Sequence, residues 1–166
     1  MYTYSFCPVC GKNLEKRPHD GPPRKWCPHC GFVHYVNPLP AVIAITEKDD
    51  ELLLVLRGKP PEAGKWTFPS GFMEADETPE TACLRELEEE TGIRGTVDAL
   101  IGVYYEKSEM YGDVLNIAYR VRPEKGCAPH AGDDAQDARF FPIADVKDIA
   151  FASFRQALAD YKARFR

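Results

Sequence analysis

At 166 residues the chain has room for one ordinary domain and a small appendage, and 44% apolar with 28% charged residues exclude wholesale disorder and fibrous architecture. The longest apolar stretch, residues 41–45, falls far short of the roughly 18 residues a spanning helix needs, and the opening MYTYSFCP has neither the basic region nor the apolar core of a signal peptide. The expectation is a cytoplasmic protein with no membrane partner. The net charge of −5 is unevenly placed, because residues 71–93 hold eight carboxylates against Arg85 alone. Nucleic acid is therefore not an expected partner, since binding a phosphate backbone relies on clustered Lys and Arg, and so acidic a segment approaches phosphate only through intervening cations.

Four of the six cysteines come in two pairs, Cys7 and Cys10 in CPVCG and Cys27 and Cys30 in CPHCG. Two such knuckles at this separation have the spacing of a zinc ribbon, in which four thiolates enclose a tetrahedral ion. Gly11 and Gly31 close the knuckles, where positive φ is needed at low steric cost. Four sulfur ligands leave no open coordination position, so this zinc is expected to fold the segment rather than to catalyse. His29 and His34 lie nearby but are not needed as ligands, and Cys83 and Cys127 read as ordinary buried or half-buried thiols.

The connector HYVNPLP, residues 34–40, carries two prolines and marks a boundary, with a ribbon over residues 1–36 and a larger domain over 37–166. AVIAIT at 41–46 and ELLLVL at 51–56, joined by EKDD, predict a hairpin. RGKPPEAGK reads as a loop, residues 65–69 as a short strand, and residues 97–105 and 113–121 as longer strands. The last of these shows Leu115, Ile117, Tyr119 and Val121 at period two. A short strand at 138–141 follows. Phe151, Phe154, Leu158, Tyr161 and Phe165 then recur at helical spacing. Between the strands, Thr78 can cap a helix that has Pro79 at its first position and Gly92 as its stop. Strands interleaved with two helices predict an α/β protein with a mixed sheet packed between helices.

Glu86, Glu89 and Glu90 share one face of the first helix, close enough to enclose a hard cation, and without one they repel. A solvated acidic face is the alternative reading. Against it stands the wider pattern: Gly71, Glu77, Arg85, Glu86, Leu87, Glu89, Glu90, Gly92 and Ile93 fit G-x5-E-x7-R-E-U-x-E-E-x-G-U, with U aliphatic. At roughly 7% usage per residue type, the seven positions of fixed type would coincide about once in 10⁸ starting points. The stretch resembles the Nudix box. With the ribbon, HYVNP, LLLVLRG, GKWTFPSGFME and DDAQDARFFP, the chain resembles Nudix hydrolases that carry an N-terminal zinc ribbon, a group acting on FAD, ADP-ribose and NADH.

The resemblance implies an α/β/α sandwich and hydrolysis of a nucleoside diphosphate linked to another group X. It places Glu86, Glu89 and Glu90 at metal-binding and general-base positions and makes the backbone carbonyl of Ser70 a further ligand. Glu77 and Arg85 match a pair that braces the loop against the helix, and Asp134, with Asp133 second, matches a carboxylate from a downstream loop. The resemblance also implies a homodimer.

The chemistry suits these residue types in its own right. A pyrophosphate repels nucleophiles by its charge, so Mg²⁺ or Mn²⁺ must neutralise its oxygens and acidify a bound water, while a carboxylate, Glu86 or Glu89, takes the proton. The substrate is then a small nucleotide, releasing NMP and X-phosphate. An SQPWPFPxS stretch, the mark of ribbon-bearing NADH pyrophosphatases, does not follow Ile93. The proline about 15 or 16 residues past the box that marks many ADP-ribose hydrolases is also missing, with Ser108 and Glu109 in its place, and it is the overall resemblance to this subgroup that puts FAD or ADP-ribose ahead of NADH. Tyr111 sits 18 residues past Ile93, where some dinucleoside polyphosphate hydrolases have tyrosine, and Trp66 and Phe68 can stack a base or fill the core. Two alternatives belong to other classes: a zinc-ribbon module binding RNA or protein beside an idle Nudix domain, and an isopentenyl-diphosphate isomerase-like activity.

Overall fold

A computed structural model describes residues 4–133 and 135–166. The chain divides into two compact units that part between Pro38 and Leu39.

The first unit is a three-stranded antiparallel sheet of β1 (Glu15–Pro18), β2 (Pro23–Trp26) and β3 (Val33–His34), in that order. Each CxxC forms a tight turn, with Gly11 donating to the Cys7 carbonyl at 2.9 Å and Gly31 to that of Cys27 at 3.0 Å. Both glycines take positive φ, 71° and 78°. Cys7, Leu14 and Cys27 are the buried apolar side chains, with Cys10 and Phe32 packed against them.

The second unit is built on a mixed sheet in the order β10-β5-β4-β9-β8, formed by β4 (Leu39–Lys48), β5 (Glu51–Arg57), β8 (Gly95–Ser108), β9 (Gly112–Pro123) and β10 (Ala135–Pro142). β4 and β9 run parallel, whereas the other neighbours pair antiparallel. Helix α1 (Pro79–Thr91) packs on one face and α2 (Ala152–Phe165) on the other. Side chains of a strand alternate between faces, so β4 sends Val42 and Ala44 to Ala82, Cys83 and Leu87 of α1, and Ile43 and Ile45 to Phe154, Leu158 and Tyr161 of α2. Both faces being covered explains the unbroken apolar run at 41–45. The same layering corrects the period-two reading of β9: Ile117, Tyr119 and Val121 face α1, but Ala118 on the opposite face is buried against α2, and Leu115 is exposed.

The expected strand at 65–69 is shortened to β6 (Trp66–Thr67), and a further, unexpected short strand, β7 (Ser70–Phe72), follows it. β4 and β5 pair with each other only beside their turn, at Glu47–Leu52 and Lys48–Glu51, and then separate. β6 pairs with β5 and β7 with β4, and Phe68 and Pro69 carry the chain across the gap. Phe68 is fully buried and Trp66 packs edge-on against Phe141, so both fill the core. β8, β9 and β10 run past their apolar stretches, and β4 takes in Leu39 and Pro40 from the connector. Among the described residues no helix is long and apolar enough to cross a membrane.

Candidate active site

The wedge between β4 and β5 presents Ser70 and Gly71 to α1. The helix opens with a capping box, in which the Thr81 amide donates to Thr78 Oγ1 at 3.2 Å and the Thr78 amide donates to Thr81 Oγ1 at 2.8 Å. It stops at Gly92, in the left-handed region at φ 66°, whose amide reaches the Glu88 carbonyl at 2.7 Å. These local signals fix the rotation of α1, so that Leu87 and Cys83 enter the core while Glu86 and Glu90 face the wedge. Gly71 is required there for space: a Cβ would lie 2.2 Å from the Glu86 carboxylate.

Arg85 is the hub of the charged cluster. Its Nε and Nη2 grip both oxygens of Glu77 at 3.1 and 2.7 Å, and Nη2 also donates to the Phe72 carbonyl at 3.1 Å. Its Nη1 bridges Glu86 Oε1 at 2.7 Å and Glu89 Oε2 at 3.1 Å. The loop before the helix is thus tied to the helix by one guanidinium, a paired geometry that lysine cannot supply. Arg85, with the Glu74 amide adding to it, holds Glu77 below the usual carboxylate range. Glu86 goes the other way. Burial pushes its pKa up against the pull of Arg85, and the charges of Glu89 and Asp133 add to the rise.

Glu90 is buried, and its Oε2 accepts the Ser70 amide at 3.0 Å. The three box glutamates therefore do different things: Glu86 and Glu89 share Arg85, while Glu90 holds the β6–β7 segment. Among the described residues they do not converge into a compact three-carboxylate ligand set. The donor chemistry nonetheless fits a hard divalent cation. Half-buried like charges whose repulsion already raises Glu86, compensated by a single guanidinium, would be relieved by one.

A second loop reaches the far end of α1. The His130 amide donates to the Thr91 carbonyl and the Gly132 amide to the Glu90 carbonyl, each at 3.0 Å, satisfying carbonyls that a helix end otherwise leaves open. Gly132 approaches so closely that a Cβ would lie 2.2 Å from the Glu89 carbonyl oxygen. This docking brings Asp133 within electrostatic reach of Glu86. Asp134 lies outside the described residues. Sequence reasoning missed the basic side chains beside the carboxylates: Arg57 and Lys59 line a shallow depression together with Val55, Gly58, Glu90 and Ala135. Arg57 ends β5 and Lys59 lies in the loop after it, and the one signal in RGKPPEAGK was these cations at a strand end. Phe72 and Tyr111 meet edge to face at 5.0 Å, both partly exposed.

In the ribbon, the ligand atoms of Cys7, Cys10, Cys27 and Cys30 all lie within 4.8 Å of one another, with Cys7–Cys30 and Cys10–Cys27 Sγ pairs at 3.5 Å. None of the six cysteines forms a disulfide. Four thiolates at about 2.3 Å from a tetrahedral zinc sit about 3.8 Å apart, so this cluster fits that ion.

Comparison with known proteins agrees with this architecture. Residues 37–163 match the NUDIX domain and residues 5–36 the Nudix N-terminal zinc-ribbon family. An ADP-ribose pyrophosphatase of Methanocaldococcus jannaschii is 38% identical over 76% of this chain and 75% of its own length. The NAD-capped RNA hydrolase NudC of Deinococcus radiodurans is 30% identical over 99% of this chain, which spans only 59% of that relative. A crystal structure of a NUDIX hydrolase from Nitrosomonas europaea superposes with a TM-score of 0.84 at 31% identity, covering 96% of this chain and 91% of that one. The NUDIX domain of Shewanella oneidensis NrtR complexed with ADP ribose gives a TM-score of 0.68 at 25% identity, covering 80% and 91%. With its carboxylate-bearing helix braced by Arg85 and its four-cysteine ribbon, the chain belongs to the Nudix hydrolases.

Proposed function

We propose that residues 37–166 hydrolyse the pyrophosphate bond of compounds in which ADP is joined to a second group, ADP-ribose and FAD ahead of NADH, releasing AMP and X-phosphate, and that residues 1–36 are a structural zinc ribbon. The observation that carries this reading is the Glu86–Arg85–Glu89 cluster, with Glu90 tied to Ser70, beside a shallow depression lined by Arg57 and Lys59. The 38% identity to an ADP-ribose pyrophosphatase supports the ADP-linked substrate class.

Glu86, Glu89, Glu90 and the Ser70 carbonyl would hold Mg²⁺ or Mn²⁺, which supplies neutralisation of the phosphate oxygens and acidification of a bound water. The protein's own part is position and proton transfer. Glu90 fixes Ser70 through its amide, Arg85 and Glu77 fix the loop at Phe72, and Arg57 and Lys59 balance the negative charge of the diphosphate. The proton of the attacking water goes to Glu86 or Glu89. An isomerase-like role for Cys83 has no support: the thiol is buried, its Sγ points to the Ile43 carbonyl at 3.8 Å, and burial pushes it up to about 12.

Two measurements test the reading. With Mg²⁺ or Mn²⁺ present, a panel of ADP-ribose, FAD, NADH, NAD-capped RNA, diadenosine polyphosphates and 8-oxo-dGTP should give its highest kcat/KM on ADP-ribose or FAD, with AMP as product. A clear preference for nucleoside triphosphates would overturn it. Gly71→Ala should lower kcat by about 10- to 100-fold, because the new methyl must displace the Glu86 carboxylate, and a misplacement near 1 Å costs that order. The clash is with the far end of a side chain, so thermal stability should change little; a variant with full turnover would remove Glu86 from the reaction.

A further inference from the structure

The ribbon departs in charge from the rest of the chain. Residues 1–38 hold five lysines and arginines against two acids, a net of +3, whereas the whole chain stands at −5. Four of those cations sit directly opposite one another, with Lys16 paired to Lys25 and Arg17 to Arg24 in the β1–β2 register. Like charges at cross-strand positions destabilise a hairpin. No carboxylate pairs with them: among the described residues, none of Lys12, Lys16, Arg17, Arg24 and Lys25 takes part in an ion pair. In the larger unit, by contrast, Arg85, Arg94, Arg120, Arg122, Arg139 and Arg166 all meet carboxylates.

The arginines are also placed on aromatic rings. The Arg17 guanidinium carbon lies 3.6 Å from the Trp26 ring centre and that of Arg24 lies 4.6 Å from the Tyr35 ring centre. Strand alternation puts Arg17, Arg24 and Trp26 on one face of the hairpin. Arg24 keeps its Nε buried with no hydrogen-bond partner, and Tyr35 is about half exposed. Four thiolates around one zinc carry a formal charge of −2, which lowers the net charge of the ribbon but leaves Arg17 and Arg24 opposed to each other across the hairpin.

We propose that this arginine–aromatic face of the ribbon, Arg17, Arg24, Trp26 and Tyr35 with Lys16 and Lys25 on the reverse, binds single-stranded nucleic acid. Guanidinium groups held over rings combine phosphate-binding donors with a stacking surface, and unpaired bases stack on such planes where duplex bases do not. An acidic peptide would answer the charge but not the rings. The inference is separate from the hydrolase reading, because it needs no pyrophosphate in the ligand.

The test uses the full zinc-loaded chain and fluorescent 5′-hydroxyl oligonucleotides of about 10 nucleotides, a length within the usual single-strand site size. RNA and DNA versions are titrated by anisotropy over a range of salt. The expected result is micromolar binding at about 0.15 M salt, with log K falling by about 0.7 per neutralised phosphate for each log unit of salt. Arg17→Gln/Arg24→Gln should weaken binding at least about tenfold and flatten the salt slope by about 1.4. Arg17→Lys/Arg24→Lys should restore the slope but not the affinity, since an ammonium does not stack as a guanidinium does. A preference for RNA over DNA would assign the ligand to RNA, and equal affinities would assign it to single strands of either sugar. Absent binding by the wild-type chain, unchanged binding by the Gln pair with full zinc content, or equal binding of a duplex or of a heparin fragment of matched charge would each overturn the proposal. Failure of the substrate panel would leave it standing, as the oligonucleotide carries no pyrophosphate to hydrolyse.

Discussion

Glu90→Gln should lower kcat by at least about 100-fold, the range expected when metal-assisted or acid–base catalysis loses a charged group. The substitution separates two jobs of one side chain. Glutamine keeps the length and a carbonyl oxygen, so the hydrogen bond from the Ser70 amide survives and the β6–β7 segment stays against α1. What disappears is the negative charge. If Glu90 served only to anchor Ser70, turnover would be unaffected; if its charge helps to hold a divalent cation, kcat falls and the concentration of Mg²⁺ needed for half-maximal rate rises. Melting temperature should move by less than about 4 °C, because a buried carboxylate is replaced by a neutral group with the same contact. Glu88→Gln is the matched control. Glu88 belongs to the same acidic run but is exposed and pairs with Arg94 at 2.6 Å, so its loss should leave kcat unchanged. Equal losses in both variants would mean that the helix needs net negative charge rather than a particular carboxylate.

How much of this was legible in the sequence follows from how local each cause is. The bounds of α1 are set by Thr78, Thr81, Pro79 and Gly92, whose effects act within one helical turn, so both ends could be read directly. The four-cysteine cluster likewise follows from spacing inside two short knuckles. The single strand read at 65–69 had no such local cause. It covers only Trp66–Thr67, and β7 begins beyond it at Ser70, because β4 and β5 separate and each recruits its own partner from positions distant in sequence. Glu90 looked equivalent to Glu86 and Glu89 in sequence, yet it is the Ser70 amide across the wedge that sets it apart. Gly132 carried no recognisable signal, since the contact that excludes a side chain is with the Glu89 carbonyl on another element. Local chemistry announced the helix and the four-cysteine cluster; the basic side chains beside Glu90 and the docking loop come from contacts distant in sequence.

Cys27→Ser should have the opposite profile to Glu90→Gln, removing structure from one unit while sparing the chemistry of the other. Cys27 is fully buried, and its amide and carbonyl both serve the knuckle, bonding to the Phe32 carbonyl at 2.8 Å and the Gly31 amide at 3.0 Å. Serine is nearly the same size, so packing alone would tolerate it. A hydroxyl, however, is a hard, protonated group in place of a soft thiolate, and a tetrahedral zinc site loses one of four ligands. The ribbon has little else to hold it, with Cys7, Leu14 and Cys27 as its buried apolar side chains, and units below about 40 residues usually need a metal or disulfide to fold. Zinc stoichiometry should therefore drop well below one per chain, and limited proteolysis should cut before Pro38 within minutes under conditions that leave the wild type intact. The larger unit has its own core on both faces of its sheet, so turnover per folded molecule should stay within about threefold of wild type. Chelation of zinc from the wild-type chain should reproduce the proteolysis pattern, and Mg²⁺ should not reverse it, because a cation that prefers oxygen cannot replace one held by sulfur. Loss of turnover in Cys27→Ser with residues 39–166 still protected would mean that the ribbon takes part in the reaction, and the division into a zinc site that folds and a carboxylate site that reacts would have to be abandoned.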